Sequence, residues 1–176
     1  MFDIKVKKEI LDYSQTQVNN FNFGQRGFAD GTKEQQLVGV IGQTVIQDLL
    51  GLPWVSGEHG FDNGIDFELN NLRFDVKTMG RTVPMRSYFV HNFIGLQLSY
   101  DVDILIFCSF NKINRVLTVC GYLHKQELKE KADFFKSGER RYRSDGTYFV
   151  LRTDLYEVPQ SRLNPLNSIQ VLLSLK

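Results

Sequence analysis

Residues 64–79, GIDFELNNLRFDVKTM, constrain the fold more than any other stretch of this chain. Two alternating segments, Gly64–Leu69 and Leu72–Met79, flank Asn70-Asn71. Asparagine tolerates the positive φ that a two-residue hairpin turn demands, so the spacing predicts a β-hairpin with these two residues as its loop. In that register Leu69 faces Leu72, Phe67 faces Phe74 and Ile65 faces Val76, all on one face, because side chains alternate along a strand. The opposite face sets Glu68 against Arg73 and Asp66 against Asp75. A slip of one residue would mix apolar and charged groups on both faces, which supports the register.

The same register brings two carboxylates together, with β-carbons roughly 5 Å apart, and like charges so placed destabilise a hairpin. Either a proton on one of them or a cation between them relieves the repulsion. Lys77 lies on the same face, two residues beyond Asp75. Two carboxylates completed by water and substrate oxygens suit Mg²⁺, which seldom uses an all-protein cage; Mn²⁺ is the expected substitute.

The pattern Gly64-Ile65-Asp66-Phe67 followed by Asp75-Val76-Lys77-Thr78, preceded by a helix over 32–50, resembles the PD-(D/E)xK nuclease superfamily. The resemblance spans roughly residues 32–110. It implies an α/β (α+β) fold with a restriction-endonuclease-like core, in which a helix is followed by a central mixed β-sheet flanked by helices. It implies catalytic roles for Asp66, Asp75 and Lys77, with Asp66, Asp75 and Val76 in the metal-ligating set and Lys77 positioning the attacking water. DNA is the implied substrate and endonucleolytic hydrolysis the implied reaction. The bare acid-x-Lys tripeptide also occurs at Asp3-Ile4-Lys5 and Glu127-Leu128-Lys129, but only Asp75-Val76-Lys77 sits in a predicted strand with a second acid opposite.

The chain departs from the family pattern at two places. Ile65 stands where Pro is common, and Gly39-Val40-Ile41-Gly42-Gln43 resembles a GxxGE pattern with Gln43 in place of Glu. Glutamine is a neutral, weaker ligand, suited to orienting a water or contacting a second ion. Glu34 is half a turn out of phase with Gln43 on the helix, and Glu58 precedes the hairpin in a loop. Gln43 favours a second reading, a catalytically degenerate nuclease fold that binds nucleic acid or a protein partner. A ribonuclease or a nuclease for branched DNA is equally compatible with the residues.

Arg81 and Arg86 follow the predicted catalytic strand and suit phosphate contacts, since the guanidinium fork matches paired oxygens. Gln97 is a further candidate for a base or phosphate contact. His91 reads as a satisfied polar residue. Residues 137–146, with Arg140, Arg141 and Arg143 around Tyr142 and Lys136 just before, read as a basic loop that clamps a nucleic-acid backbone. The charge is uneven: residues 1–110 hold 9 Lys/Arg and 13 Asp/Glu, and residues 111–176 hold 12 and 7. An acidic centre beside a basic face suits a metal-using enzyme on a phosphate backbone.

The remaining pattern predicts a single domain over 1–176, with an irregular or partly helical arm (1–31), a core (32–122) and a C-terminal part (123–176). The helix opens at Thr32 and closes at Gly51. Strands are expected at Trp54–Ser56, Asp103–Phe110, Arg115–Tyr122 and 147–158, with a helix over 124–136. DILIFCSF is apolar enough to be a central strand covered on both faces. Cys108 and Cys120 read as buried free thiols. No apolar run approaches the roughly 18 residues of a membrane span. The charged N-terminus lacks a signal core, so a cytoplasmic protein is the expectation; the resemblance, with the small size and the absence of a helicase or recognition domain, implies a phage, plasmid or defence-type enzyme. A homodimer is expected because cutting both strands calls for two centres.

Overall fold

A computed structural model describes residues 1–24, 30–59, 63–142 and 146–175. The chain is mixed α/β. Its strands are β1 (Phe2–Lys5), β2 (Phe67–Leu69), β3 (Leu72–Arg81), β4 (Val90–Ile94), β5 (Ile104–Asn111), β6 (Val116–His124), β7 (Asp133–Phe135), β8 (Arg140–Tyr142), β9 (Tyr148–Val150) and β10 (Leu155–Pro159). Its helices are α1 (Lys8–Asn20), α2 (Lys33–Leu50) and two single turns, α3 (Leu128–Lys131) and α4 (Gln170–Leu173). Among the described residues no helix is long and apolar enough to cross a membrane.

The central sheet has the order β1-β6-β5-β3-β2, with β3 parallel to β5 and the other pairs antiparallel. Strand β5 is buried along its whole length, as its unbroken apolar run predicts. Its residues alternate between two cores. Ile104, Ile106, Cys108 and Phe110 face one side with Val38, Ile41 and Val45 of α2 and with Phe74 and Val76 of β3. Leu105 and Phe107 face the other with Phe93 of β4 and Tyr156 and Val158 of β10. That second side is covered by a three-stranded sheet, β4-β10-β7, where the family resemblance implies flanking helices. The residues 90–94 and 155–159 are too short and mixed to announce a second sheet.

Helix α2 starts where the sequence places it. The Thr32 hydroxyl accepts from the Gln35 amide and the Gln35 side chain accepts from the Thr32 amide, and Gly51 closes the helix at φ 68°. The Asn70-Asn71 turn also forms, with φ 52° and 63°. Both cysteines are free and buried; burial pushes the Cys120 thiol up to about 12 and Cys108 well above its ordinary range.

Other expectations are corrected. The N-terminal arm is partly helical as expected, α1 burying Ile10, Ser14 and Val18, a stripe spaced four residues apart; what the sequence reading lacks is the strand β1, which pairs with β6. Trp54–Ser56 is not a strand; the Trp54 indole instead donates to Asp48 (3.2 Å). The stretch 124–136 is a 3-10 turn, the single turn α3 and strand β7, because Phe134 and Phe135 favour extended backbone. The basic loop is a hairpin, β8–β9, and the strand expected over 147–158 is broken into β9 and β10.

Candidate active site

The site is built where α2 crosses the β2–β3 hairpin. Gly42 permits the crossing: a Cβ added there would lie 1.8 Å from Thr78 Oγ1, so only glycine lets the helix backbone close on β3. One residue on, Gln43 turns inward, and Gln47 lies one helical turn further on the same side. Both are buried, and both donate their side-chain amides to the backbone carbonyl of Asp66, at 3.3 Å and 3.2 Å. Gln47 Oε1 is itself buried and has no hydrogen-bond partner.

The hairpin register is the predicted one from the turn outward, with Leu69↔Leu72, Glu68↔Arg73 and Phe67↔Phe74. The two rings of the last pair stack at 4.9 Å. There the ladder stops. The predicted pairs Asp66↔Asp75 and Ile65↔Val76 do not form, because the Asp66 amide donates to the Phe74 carbonyl (2.8 Å), offset from the expected register. In a continued antiparallel ladder the Val76 amide would seek the Ile65 carbonyl. It is taken instead by Asp66 Oδ2 at 2.6 Å. The Asp66 carboxylate therefore sits against the peptide unit that joins Asp75 to Val76.

Asp75 and Lys77 lie on the face of β3 that looks toward the second sheet. Asp75 is 3% exposed. Lys77 Nζ is 2.5 Å from Asp75 Oδ2, with the lysine side chain 17% exposed and its ammonium 5.7 Å from the centre of the Phe93 ring. The lysine two residues along its own strand thus places a positive charge directly on the Asp75 carboxylate. A second cation stands near: Lys125, which donates to the Tyr100 carbonyl, has its pKa lowered by burial and partly restored by Asp101 and Asp75. Asp101 and Asp103 are engaged by Arg73, which donates to both.

The structure brings Gln43 to the Asp66 carbonyl, the Asp66 carboxylate to the Val76 amide, and Lys77 to Asp75. It does not bring the predicted basic residues to them as free clamps. Arg81 Nη2 donates to the Val90 carbonyl (2.7 Å), and its guanidinium lies 4.3 Å from the Phe89 ring, so it ties the end of β3 to the start of β4. Burial lowers its pKa. Arg86 is exposed and donates to the Tyr88 hydroxyl (2.7 Å). Gln97 is half-buried on the 3-10 turn after β4. Arg140 is exposed on β8, whereas Arg141 is spent on Glu157 (2.6 Å) and on the Phe135 ring (3.7 Å). Arg143 lies outside the described residues. Glu34 pairs with Lys112 (2.7 Å) on the surface. His91 is fully buried, bonded through Nε2 to Gln160 (2.8 Å), and burial lowers its pKa to about 4, which fits a packing role.

Gln47 is the site residue that sequence reading misses. Its signal is a second glutamine four residues after Gln43 on a helix whose neighbours are apolar, a pair that lands on one face.

Among the described residues no group of three or more His, Cys, Asp or Glu side chains is arranged to hold a metal ion. A cation here would rest on Asp66 and Asp75, with water completing its shell, which is how Mg²⁺ is commonly held. The buried, unpartnered Gln47 Oε1 beside the Asp66 backbone is a neutral oxygen donor of the kind such a shell uses. The chain matches no known protein-family model, no curated protein and no solved structure.

Proposed function

We propose that this protein is a divalent-metal-dependent phosphodiesterase. More narrowly, it is a DNA endonuclease with a restriction-endonuclease-like core, of the PD-(D/E)xK type. The observation that carries the reading is the Asp66 carboxylate bonded to the Asp75–Val76 peptide, with Lys77 on Asp75. That juxtaposition sets one carboxylate against the backbone of a residue that carries a second, with an ammonium on the latter.

In this reading Asp66 and Asp75, with Val76 in the metal-ligating set, would hold Mg²⁺ or Mn²⁺. The ion, when bound, polarises the phosphate and lowers the pKa of a coordinated water. The protein supplies the rest. Gln43 and Gln47 fix the Asp66 backbone through its carbonyl, so the carboxylate does not swing away from β3. Lys77 holds Asp75 before a cation arrives and presents a fixed positive charge where negative charge develops in the transition state. Arg86 is the exposed candidate for a flanking phosphate.

Incubating the protein with supercoiled, linear and single-stranded DNA in Mg²⁺, Mn²⁺ or EDTA tests this. Metal-dependent cleavage that disappears in Asp66→Asn and Lys77→Ala is expected; cleavage unchanged in both variants removes the assignment. A second reading, a nuclease fold that binds nucleic acid without cutting it, is favoured by one observation. Gln43 replaces an acid and spends its amide on the Asp66 carbonyl. It predicts DNA binding with no cleavage under any metal.

A further inference from the structure

The β8–β9 hairpin is a separate two-stranded sheet whose faces differ sharply. Its register pairs Arg141 with Phe149, Tyr142 with Tyr148 and Arg140 with Val150. Alternation puts Arg141 on one face, and that face is anchored: the guanidinium bonds Glu157 of β10 and stacks on Phe135 of β7. The base of the hairpin is closed by the bonds Leu151 N to Glu139 O (2.9 Å) and Gly138 N to Leu151 O (2.8 Å).

The other face carries Arg140, Tyr142, Tyr148 and Val150, all turned to solvent. Tyr142 is 67% and Tyr148 49% exposed. Their ring centres are 5.8 Å apart at an angle of 52°, and the Arg140 guanidinium lies 4.7 Å from the Tyr148 ring. Lys136 and Arg152 are exposed on the flanking chain. Glu139, the neighbouring acid, turns its carboxylate back onto the Lys136 amide (2.9 Å).

We infer that this outward face binds single-stranded DNA, with Tyr142 and Tyr148 stacking on unpaired bases and Arg140 serving the adjacent phosphates. The argument is one of complementarity. A solvent-facing aromatic pair flanked by cations matches a polyanion that offers flat π faces, and only unpaired bases offer them; in a duplex those faces are already stacked. The anchored inner face holds the platform rigid, which lowers the ordering cost of binding. The inference rests on the nuclease reading in that it names the class of DNA that the centre would meet, a strand with unpaired bases.

The test is fluorescence anisotropy in EDTA with a labelled oligothymidylate and with a labelled duplex of equal length. The intact protein and the variants Tyr142→Phe/Tyr148→Phe and Tyr142→Leu/Tyr148→Leu are compared, with circular dichroism to check folding. Oligothymidylate is expected to bind at least about tenfold more tightly than duplex, since stacking on two bases contributes that much or more. The phenylalanine variant keeps this affinity and the leucine variant, which preserves apolar pairing across the hairpin without a π face, loses it by about ten- to a hundredfold. Equal affinity for duplex, or a folded leucine variant that binds as the parent does, overturns the inference. Should the leucine variant not fold, a phenylalanine variant with parental preference for the single strand still supports the platform, and one without it overturns it. Single-strand binding without metal-dependent cleavage by the intact protein would sink the nuclease reading alone.

Discussion

Replacing Lys77 by methionine isolates the ion pair at the centre of the site. Asp75 is almost wholly buried, its side chain 4% exposed, and Lys77 is its cation at 2.5 Å. Removing one partner of a buried pair costs about 3–5 kcal/mol. Lys77 is 17% exposed, so some water reaches the pair and the lower end, about 3 kcal/mol, is expected. In a domain of this size that lowers the melting temperature by about 6–12 °C. Adding Asp75→Asn to Lys77→Met removes the buried carboxylate as well, so the double variant should recover to within about 1 kcal/mol of the parent. Magnesium discriminates further. A dication replaces the lost ammonium in Lys77→Met and should raise its stability by RT ln(1 + [Mg²⁺]/Kd), while the double variant, lacking the carboxylate, should respond less. Urea unfolding followed through Trp54, the single tryptophan, reads the parent, the single variant and the double variant. A Lys77→Met protein as stable as the parent in EDTA, or a double variant as unstable as Lys77→Met, would refute the reasoning.

Gly39 and Gly42 should respond oppositely to alanine. Gly39 has nothing within 4 Å of an added Cβ, so Gly39→Ala should gain about 0.5–1 kcal/mol from helix propensity, whereas Gly42→Ala collides with Thr78 and should lower the thermal midpoint. His91 makes stability fall with acid. The unfolded chain takes up that proton near pH 6.5 and the folded chain only near 4, so the contribution is complete above pH 6.5 and lost as pH falls toward 4. It amounts to about 3 kcal/mol, and urea midpoints across that window should flatten in His91→Gln. Gln47→Leu removes one of the two amides that hold the Asp66 carbonyl together with the unpartnered Oε1. Magnesium should then stabilise the variant less than the parent in thermal melts, with the metal-free midpoint changed by about 1 kcal/mol or less.

The hairpin was legible because its signal is local and redundant: an Asn-Asn turn, three apolar pairs and a charge alternation all demand one register. The offset at Asp66 was not, because it depends on a side-chain carboxylate outcompeting the Ile65 carbonyl for the Val76 amide, a choice that strand periodicity does not encode. Helix α2 announced itself through Thr32, Gln35 and Gly51. The second sheet was hidden, since β4, β7 and β10 are five residues or shorter and find their partners only across long sequence separations. Of the site, Asp75, Val76 and Lys77 follow from one strand, and Gln43 from one helix. Gln47 required knowing that α2 lies over Asp66. The arginines were visible as residues but not as partners, because Phe89, Glu157 and Phe135 come from other elements.

The anchoring of Arg141 changes what ionic strength would reveal. Each cation that neutralises a phosphate displaces condensed counter-ions, about 0.7 per contact for a single strand, and steepens the decline of affinity with salt by that amount. An arginine already closed on Glu157 and Phe135 displaces none. The salt slope of this protein on DNA should therefore be shallower than its arginine count suggests, and the substitution Glu157→Gln, which frees that guanidinium, should make it steeper.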